Sequence, residues 1–123
     1  MAIDRERSTQ RIEHDIETLA GPDFTETDEC IRRYAYTDVY ENTLQYFTRE
    51  LEAIGFEVWR DPLGTLVASN VAPGAPAFGV GSHCDSNRNG GKWDGTMGVV
   101  TALEVCRLSA EHGLDLLRAD PKG

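Results

Sequence analysis

The chain has 123 residues, 40% hydrophobic and 27% charged, and 21 acidic against 12 basic side chains leave a net charge of −9. That balance is the composition of one small soluble globular domain and excludes a disordered chain, while an acidic surface speaks against nucleic acid and anionic membranes as partners. No run approaches the roughly 18 apolar residues of a spanning helix, and Met1 to Arg11 lacks the apolar core of a signal peptide.

A first helix is expected from Asp4 to Leu19, with Ile12, Ile16 and Leu19 on one face and Gly21-Pro22 as its stop. A polar connector follows from Asp23 to about Tyr36. The second helix is expected to be capped by Asp38, with Glu41 completing a capping box. Leu44, Phe47, Leu51 and Ile54 then fall at helical spacing, and Gly55 stands where a helix closes in the left-handed conformation. Past Gly55 the pattern changes to alternation. Phe56 to Arg60 and Thr65 to Ser69 are expected to form a hairpin turned by Asp61-Pro62-Leu63-Gly64.

Beyond the loop at Val71 to Pro76, the apolar run Ala77 to Gly81 is expected to be a short, fully buried strand. It leads into His83 and a glycine-rich loop that ends near Asp94-Gly95. A third helix is expected from about Met97 to Glu111, with Val100, Leu103 and Leu108 inward and Gly113 ending it, and Leu114 to Leu117 are expected to open a further strand. There is no internal repeat. The order helix, helix, hairpin, strand, loop, helix suits an α/β sandwich whose functional loop leaves the carboxyl end of a strand, where such sheets place their ligands.

The segment Gly81-Ser82-His83-Cys84-Asp85-Ser86, followed by Gly90-Gly91-Lys92-Trp93-Asp94-Gly95, carries the chemistry. A divalent ion needs a neutral imidazole or a carboxylate on rigid backbone, and His83 sits just past the expected strand. Its second ring nitrogen needs an acceptor to hold tautomer and orientation. Asp85 is two residues on, which in extended backbone is the same side of the chain. Asp94, at the mouth of the third helix, can reach back to the same place. Each residue alone has a structural reading: a satisfied polar His at a strand end, and an Asp before Gly as a turn or cap. Cys84, between them, points to the opposite face and is expected to be a small buried thiol, Cys106 a core residue, and Trp93 to pack the loop. Cys30 has no expected partner. With no CxxC spacing, three free thiols indicate a reduced, cytoplasmic setting. His14, Glu111 and His112 are expected in solvent.

These motifs, continued by Gly98-Val99 and Ala102-Leu103-Glu104-Val105, resemble the M20 metallopeptidase/amidohydrolase family. The branch they resemble is that of the N-carbamoyl-L-amino acid hydrolases and allantoate amidohydrolases, whose pattern GSHxDSxxxGGxxDGxxGVxxALEV is matched nearly without break from Gly81 to Val105. Asp61-Pro62-Leu63-Gly64-Thr65-Leu66 resembles its Asp-x-x-Gly-Asn-Leu segment, with Thr65 in place of Asn.

The resemblance implies an incomplete, N-terminal portion of a zinc-exopeptidase-like α/β/α sandwich. Residues 1–123 would be the first part of a catalytic metallohydrolase domain, with the remainder and a dimerisation domain absent. It implies His83 as ligand to one ion of a di-metal centre, Asp94 as the carboxylate bridging both ions, and Asp85 as the acid that orients His83 in catalysis. The ions would be zinc, manganese, cobalt or nickel, the substrate a small amide or ureide, and complete members homodimers. The family's Glu-Glu pair and later His ligands do not follow here. Two alternatives therefore stand beside the hydrolase reading: an inactive truncated fragment, and an M20 aminopeptidase or aminoacylase.

Overall fold

A computed structural model describes residues 2–114. The first helix, α1 (Arg5–Leu19), starts where the Asp4 carboxylate accepts a hydrogen bond from the Arg7 amide at 3.0 Å. A side-chain acceptor there satisfies one of the amides that a helix start leaves unpaired. Ile16 and Leu19 are buried and Ile12 packs at the edge of the core.

The connector is more than a polar link. Ile31 exchanges two backbone hydrogen bonds with Gly90, both 2.9 Å. Thr25 Oγ1 donates to the Cys30 carbonyl at 3.0 Å and accepts from the Arg32 amide at 2.9 Å. Thr25, Ile31 and Arg33 are all buried.

The second helix, α2 (Asp38–Ala53), is preceded by Thr37 at the capping position, so Asp38 is not the cap and no capping box forms. The Thr37 hydroxyl is turned back to donate to the Tyr34 carbonyl at 2.6 Å, and Glu41 is drawn away into an ion pair with Arg60 at 2.7 Å. The other end follows expectation. Gly55 takes φ +89° and donates to the Glu52 carbonyl, and Phe56 donates to that of Leu51. This double bond pattern closes a helix through a left-handed residue. Leu44, Phe47 and Leu51 are buried, and Ile54 packs beside them.

The expected hairpin is present. Strands β1 (Glu57–Arg60) and β2 (Leu66–Ser69) pair antiparallel, with Val58 opposite Ala68 and Trp59 opposite Val67. The Asp61 carboxylate accepts the Leu63 and Thr65 amides at 2.9 and 2.8 Å and so holds the turn. The expected buried strand at Ala77 to Gly81 is not formed. That segment is extended but exposed, with Phe78 at 62% and Val80 at 51%, because no strand among the described residues pairs with it. The third helix, α3 (Thr96–His112), ends at Gly113 in the left-handed region, φ +61°. Val100 and Leu103 are buried and Leu108 half-buried.

The three helices and the hairpin enclose one core of Ile16, Leu19, Leu44, Phe47, Leu51, Cys84, Val100 and Leu103. A cluster of buried charges crosses it. Arg107 donates to Asp15 at 2.6 Å and to Glu50 at 3.0 Å, Tyr46 donates to Asp15, and Arg11 to Glu104. The architecture is mixed α/β, as expected, and among the described residues no helix is long and apolar enough to cross a membrane. Apart from Leu114, the strand expected at Leu114 to Leu117 lies outside the described residues.

Candidate metal centre

Three side chains that the sequence singles out come together where the extended segment 81–86 meets the start of α3. His83 Nδ1 lies 3.2 Å from Asp85 Oδ1 and 3.1 Å from the Asp85 carbonyl. With the proton on Nδ1, the ring donates to these oxygens and Nε2 keeps its lone pair. On that side Asp94 Oδ1 stands 3.8 Å away. The side chains are 56% (His83), 49% (Asp85) and 67% (Asp94) exposed, so a ligand can reach all three.

Glycine makes this approach possible. At Gly95 the backbone has φ +69°, and a Cβ there would fall 2.5 Å from His83 Cε1. At Gly98 a Cβ would fall 2.5 Å from that of Ser82. The first turn of α3 therefore lies directly on Ser82-His83, which brings Asp94 to the ring. The turn itself is tied by the Thr96 amide to the Asp94 carbonyl at 2.7 Å and the Met97 amide to that of Trp93 at 3.0 Å.

Cys84 points the other way, into the core, as alternation along an extended chain requires. Burial pushes its thiol up to about 11, so at neutral pH it is a protonated apolar group and a poor ligand. Cys106 also packs against the core, and its thiol is raised by burial. His14, Glu111 and His112 are on the surface, as expected. Trp93 does not pack the loop. It is 50% exposed, and Lys92 Nζ, which pairs with Glu17, lies over its ring, 5.3 Å from the centre. Beside His83 and Asp85 a cavity of about 300 Å³ opens, walled by Tyr40, Leu44, Leu66, Val80 and Val99.

The donor set has the right chemistry for a divalent ion: a neutral imidazole nitrogen and a carboxylate oxygen. Two ligands at about 2.0–2.2 Å from one ion stand at most about 4.4 Å apart, and the observed 3.8 Å lies within that reach. Among the described residues no group of three or more His, Cys, Asp or Glu side chains is arranged to hold a metal ion. His83 and Asp94 are thus a partial ligand pair.

The sequence reading missed Arg33, which is 1% exposed and lies behind this segment. Its signal was a pair of arginines, Arg32-Arg33, beside buried Ile31 in an otherwise acidic connector.

A His–Asp pair on extended backbone, running into a glycine-seated helix beside a hairpin, makes this a piece of a mixed α/β domain. In sequence and fold it is a relative of the N-carbamoyl-L-amino-acid amidohydrolases of the hydantoinase/carbamoylase family and corresponds to part of one. It is 37% identical over 106 residues to the N-carbamoyl-L-amino-acid amidohydrolase of Paenarthrobacter aurescens, covering 85% of this chain and 25% of that protein. Over 85 residues it is 29% identical to the ureidoglycolate hydrolase of Arabidopsis thaliana, covering 68% of this chain and 18% of that protein. An amidase of the hydantoinase/carbamoylase family from Burkholderia phymatum superimposes with a TM-score of 0.72 at 29% identity, over 83% of this chain and 24% of that one. The chain therefore spans about a quarter of the length of such relatives. No family model matches it.

Proposed function

We propose that this chain supplies part of the active site of an amidohydrolase that cleaves linear amide C–N bonds in N-carbamoyl-L-amino acids or related ureides. The observation that supports this best is the arrangement around His83, with Asp85 on Nδ1 and Asp94 facing Nε2. In this reading His83 and Asp94 are ligands in a centre of two divalent ions, zinc, manganese, cobalt or nickel, and Asp85 fixes the imidazole tautomer. Such ions supply a water of lowered pKa and polarise the scissile carbonyl. Asp85 keeps the His83 lone pair directed outward, and Tyr40, Val80 and Val99 offer an apolar wall to the substrate.

Residues 1–123 are then the N-terminal part of a catalytic domain. The general base and remaining ligands come from further sequence or from a partner chain, and the complete protein is a homodimer. The donor count favours a second reading for the chain by itself, a folded fragment without turnover.

Elemental analysis of natively purified protein, with cobalt titration followed by absorbance, tests the proposal. Binding by the wild type that is lost in His83→Ala and Asp94→Ala supports it. Equal occupancy in all three, or none in the wild type, overturns the assignment for this chain. Turnover of N-carbamoyl amino acids by metal-loaded protein, or its absence, separates the two readings.

A further inference from the structure

We infer that Arg33 is a positioning residue that holds the two halves of the candidate site, the His83–Asp85 segment and the Asp94–Thr96 turn, in register with each other. Its guanidinium donates through Nε to the Cys84 carbonyl at 2.6 Å, between His83 and Asp85, and through Nη2 to Thr96 Oγ1 at 3.0 Å. Nη1 donates to the carbonyls of Leu19 and Phe24 at 3.0 and 2.8 Å, which anchors the fork to the end of α1. The Arg33 backbone adds a second clamp. Its amide donates to Ser86 Oγ and its carbonyl accepts the Ser86 amide, both at 2.8 Å.

All four guanidinium acceptors are neutral. A buried cation without a hydrogen-bonded carboxylate is costly, and burial works against the Arg33 charge, with Asp85 among the groups that counter it. What the guanidinium provides is a rigid planar fork whose donors reach three segments at once, which a lysine ammonium cannot copy. The Thr96 hydroxyl it holds belongs to the residue whose amide closes the turn on Asp94. The Cys84 carbonyl it holds belongs to the extended segment that puts His83 and Asp85 on one side. The relevance of Arg33 to turnover rests on the amidohydrolase reading, but its hold on the geometry does not.

The test reads that geometry without metal. One Gly95 α hydrogen points at the His83 ring, so the full chain gives a nuclear Overhauser contact between His83 Hε1 and Gly95 Hα. In Arg33→Lys and in Thr96→Val, with helical circular dichroism unchanged, that contact is expected to be lost. In Leu51→Val, which loosens the core near the C-terminal end of α2 and removes none of the fork's hydrogen-bond partners, it is expected to persist. Persistence at wild-type intensity in folded Arg33→Lys overturns the inference. If Arg33→Lys does not fold, Thr96→Val decides in the same way. Equal loss in Leu51→Val also overturns it, by reducing the effect to general loosening. Cobalt binding by the wild type is scored separately, and its failure sinks the amidohydrolase reading while leaving the contact measurement intact.

Discussion

Gly95 lies directly against the imidazole of His83: a Cβ there would stand 2.5 Å from the ring carbon Cε1 and 2.4 Å from the His83 carbonyl oxygen. The glycines after Asp94 are therefore a contact surface as much as a loop. Gly95→Ala is expected to cost about 1–3 kcal/mol through overpacking and a left-handed residue with a side chain. Urea unfolding measures this. Gly98→Ala is the sharper case. Inside a helix this change ordinarily stabilises by up to about 1 kcal/mol, yet Ser82 Cβ, an atom bonded directly to the backbone, stands 2.5 Å from the new methyl. Net destabilisation of Gly98→Ala is expected, and a gain in stability would show that the Ser82 segment does not rest on α3.

The three polar residues of the candidate site are expected to respond unequally. His83→Ala and Asp94→Ala each remove a donor atom and should abolish cobalt binding. Asp85→Asn keeps an oxygen near Nδ1 but loses the charge that orients the ring, an outer-shell change that typically costs about 10–100-fold in affinity or activity. Isothermal titration of the three variants, and turnover of a complete enzyme carrying Asp85→Asn, check this order. Wild-type turnover with Asn at position 85 would remove Asp85 from the mechanism.

The elements that the sequence revealed are those with a local cause. The helices show a 3.6-residue apolar period with stop signals at Gly21-Pro22, Gly55 and Gly113, and the hairpin shows alternation around a turn that Asp61 ties. His83 and Asp85 were legible because a spacing of two in extended backbone is a statement about direction. The Ala77–Gly81 run misled because composition marks what a segment prefers and not whether a partner strand is there. Thr37 and Asp38 can both cap, and the Arg60 pairing of Glu41, a contact from β1, took away the second half of the capping box. Arg33, Asp15 and Arg107 escaped for one shared reason. Periodicity assigns charged residues to solvent, and only the fold brings their hydrogen-bond partners, 9 to 92 residues away in sequence, close enough to bury them.

Asp15 and Arg107 link α1 to α3 from inside the core, with side chains 1% and 10% exposed. Removing Arg107 leaves the Asp15 charge buried without a cation, which costs about 3–5 kcal/mol, whereas removing Asp15 leaves Arg107 paired with Glu50 and Glu104 and costs less. Asp15→Ala also strips the Tyr46 hydroxyl of its acceptor. Arg107→Met leaves Asp15 with Tyr46 alone, whereas removing both charges in Asp15→Leu/Arg107→Met should recover much of the loss. A double-mutant cycle by urea unfolding reads the coupling. Additive losses would mean that the pair is not coupled.

Cys84 gives the chain a pH dependence whose direction follows from burial. Its thiol rises from an ordinary value of 9.0 to about 11 because the charged form would be desolvated, an effect that Arg33 only partly opposes. The folded state thus holds the thiol proton more tightly than the unfolded chain does. That contribution is whole below about pH 9 and is lost as pH climbs to about 11, by up to about 3 kcal/mol. Tyr46 and Tyr40 are also raised by burial and titrate in the alkaline range, so the wild type alone cannot isolate the thiol. Cys84→Ala keeps both tyrosines and leaves a small cavity whose cost is independent of pH. The stability difference between wild type and Cys84→Ala, measured by urea unfolding at steps across the window, should shrink as pH rises. Parallel curves would mean that Cys84 ionises as readily in the folded chain as in the unfolded one, and that it does not point into the core beside His83.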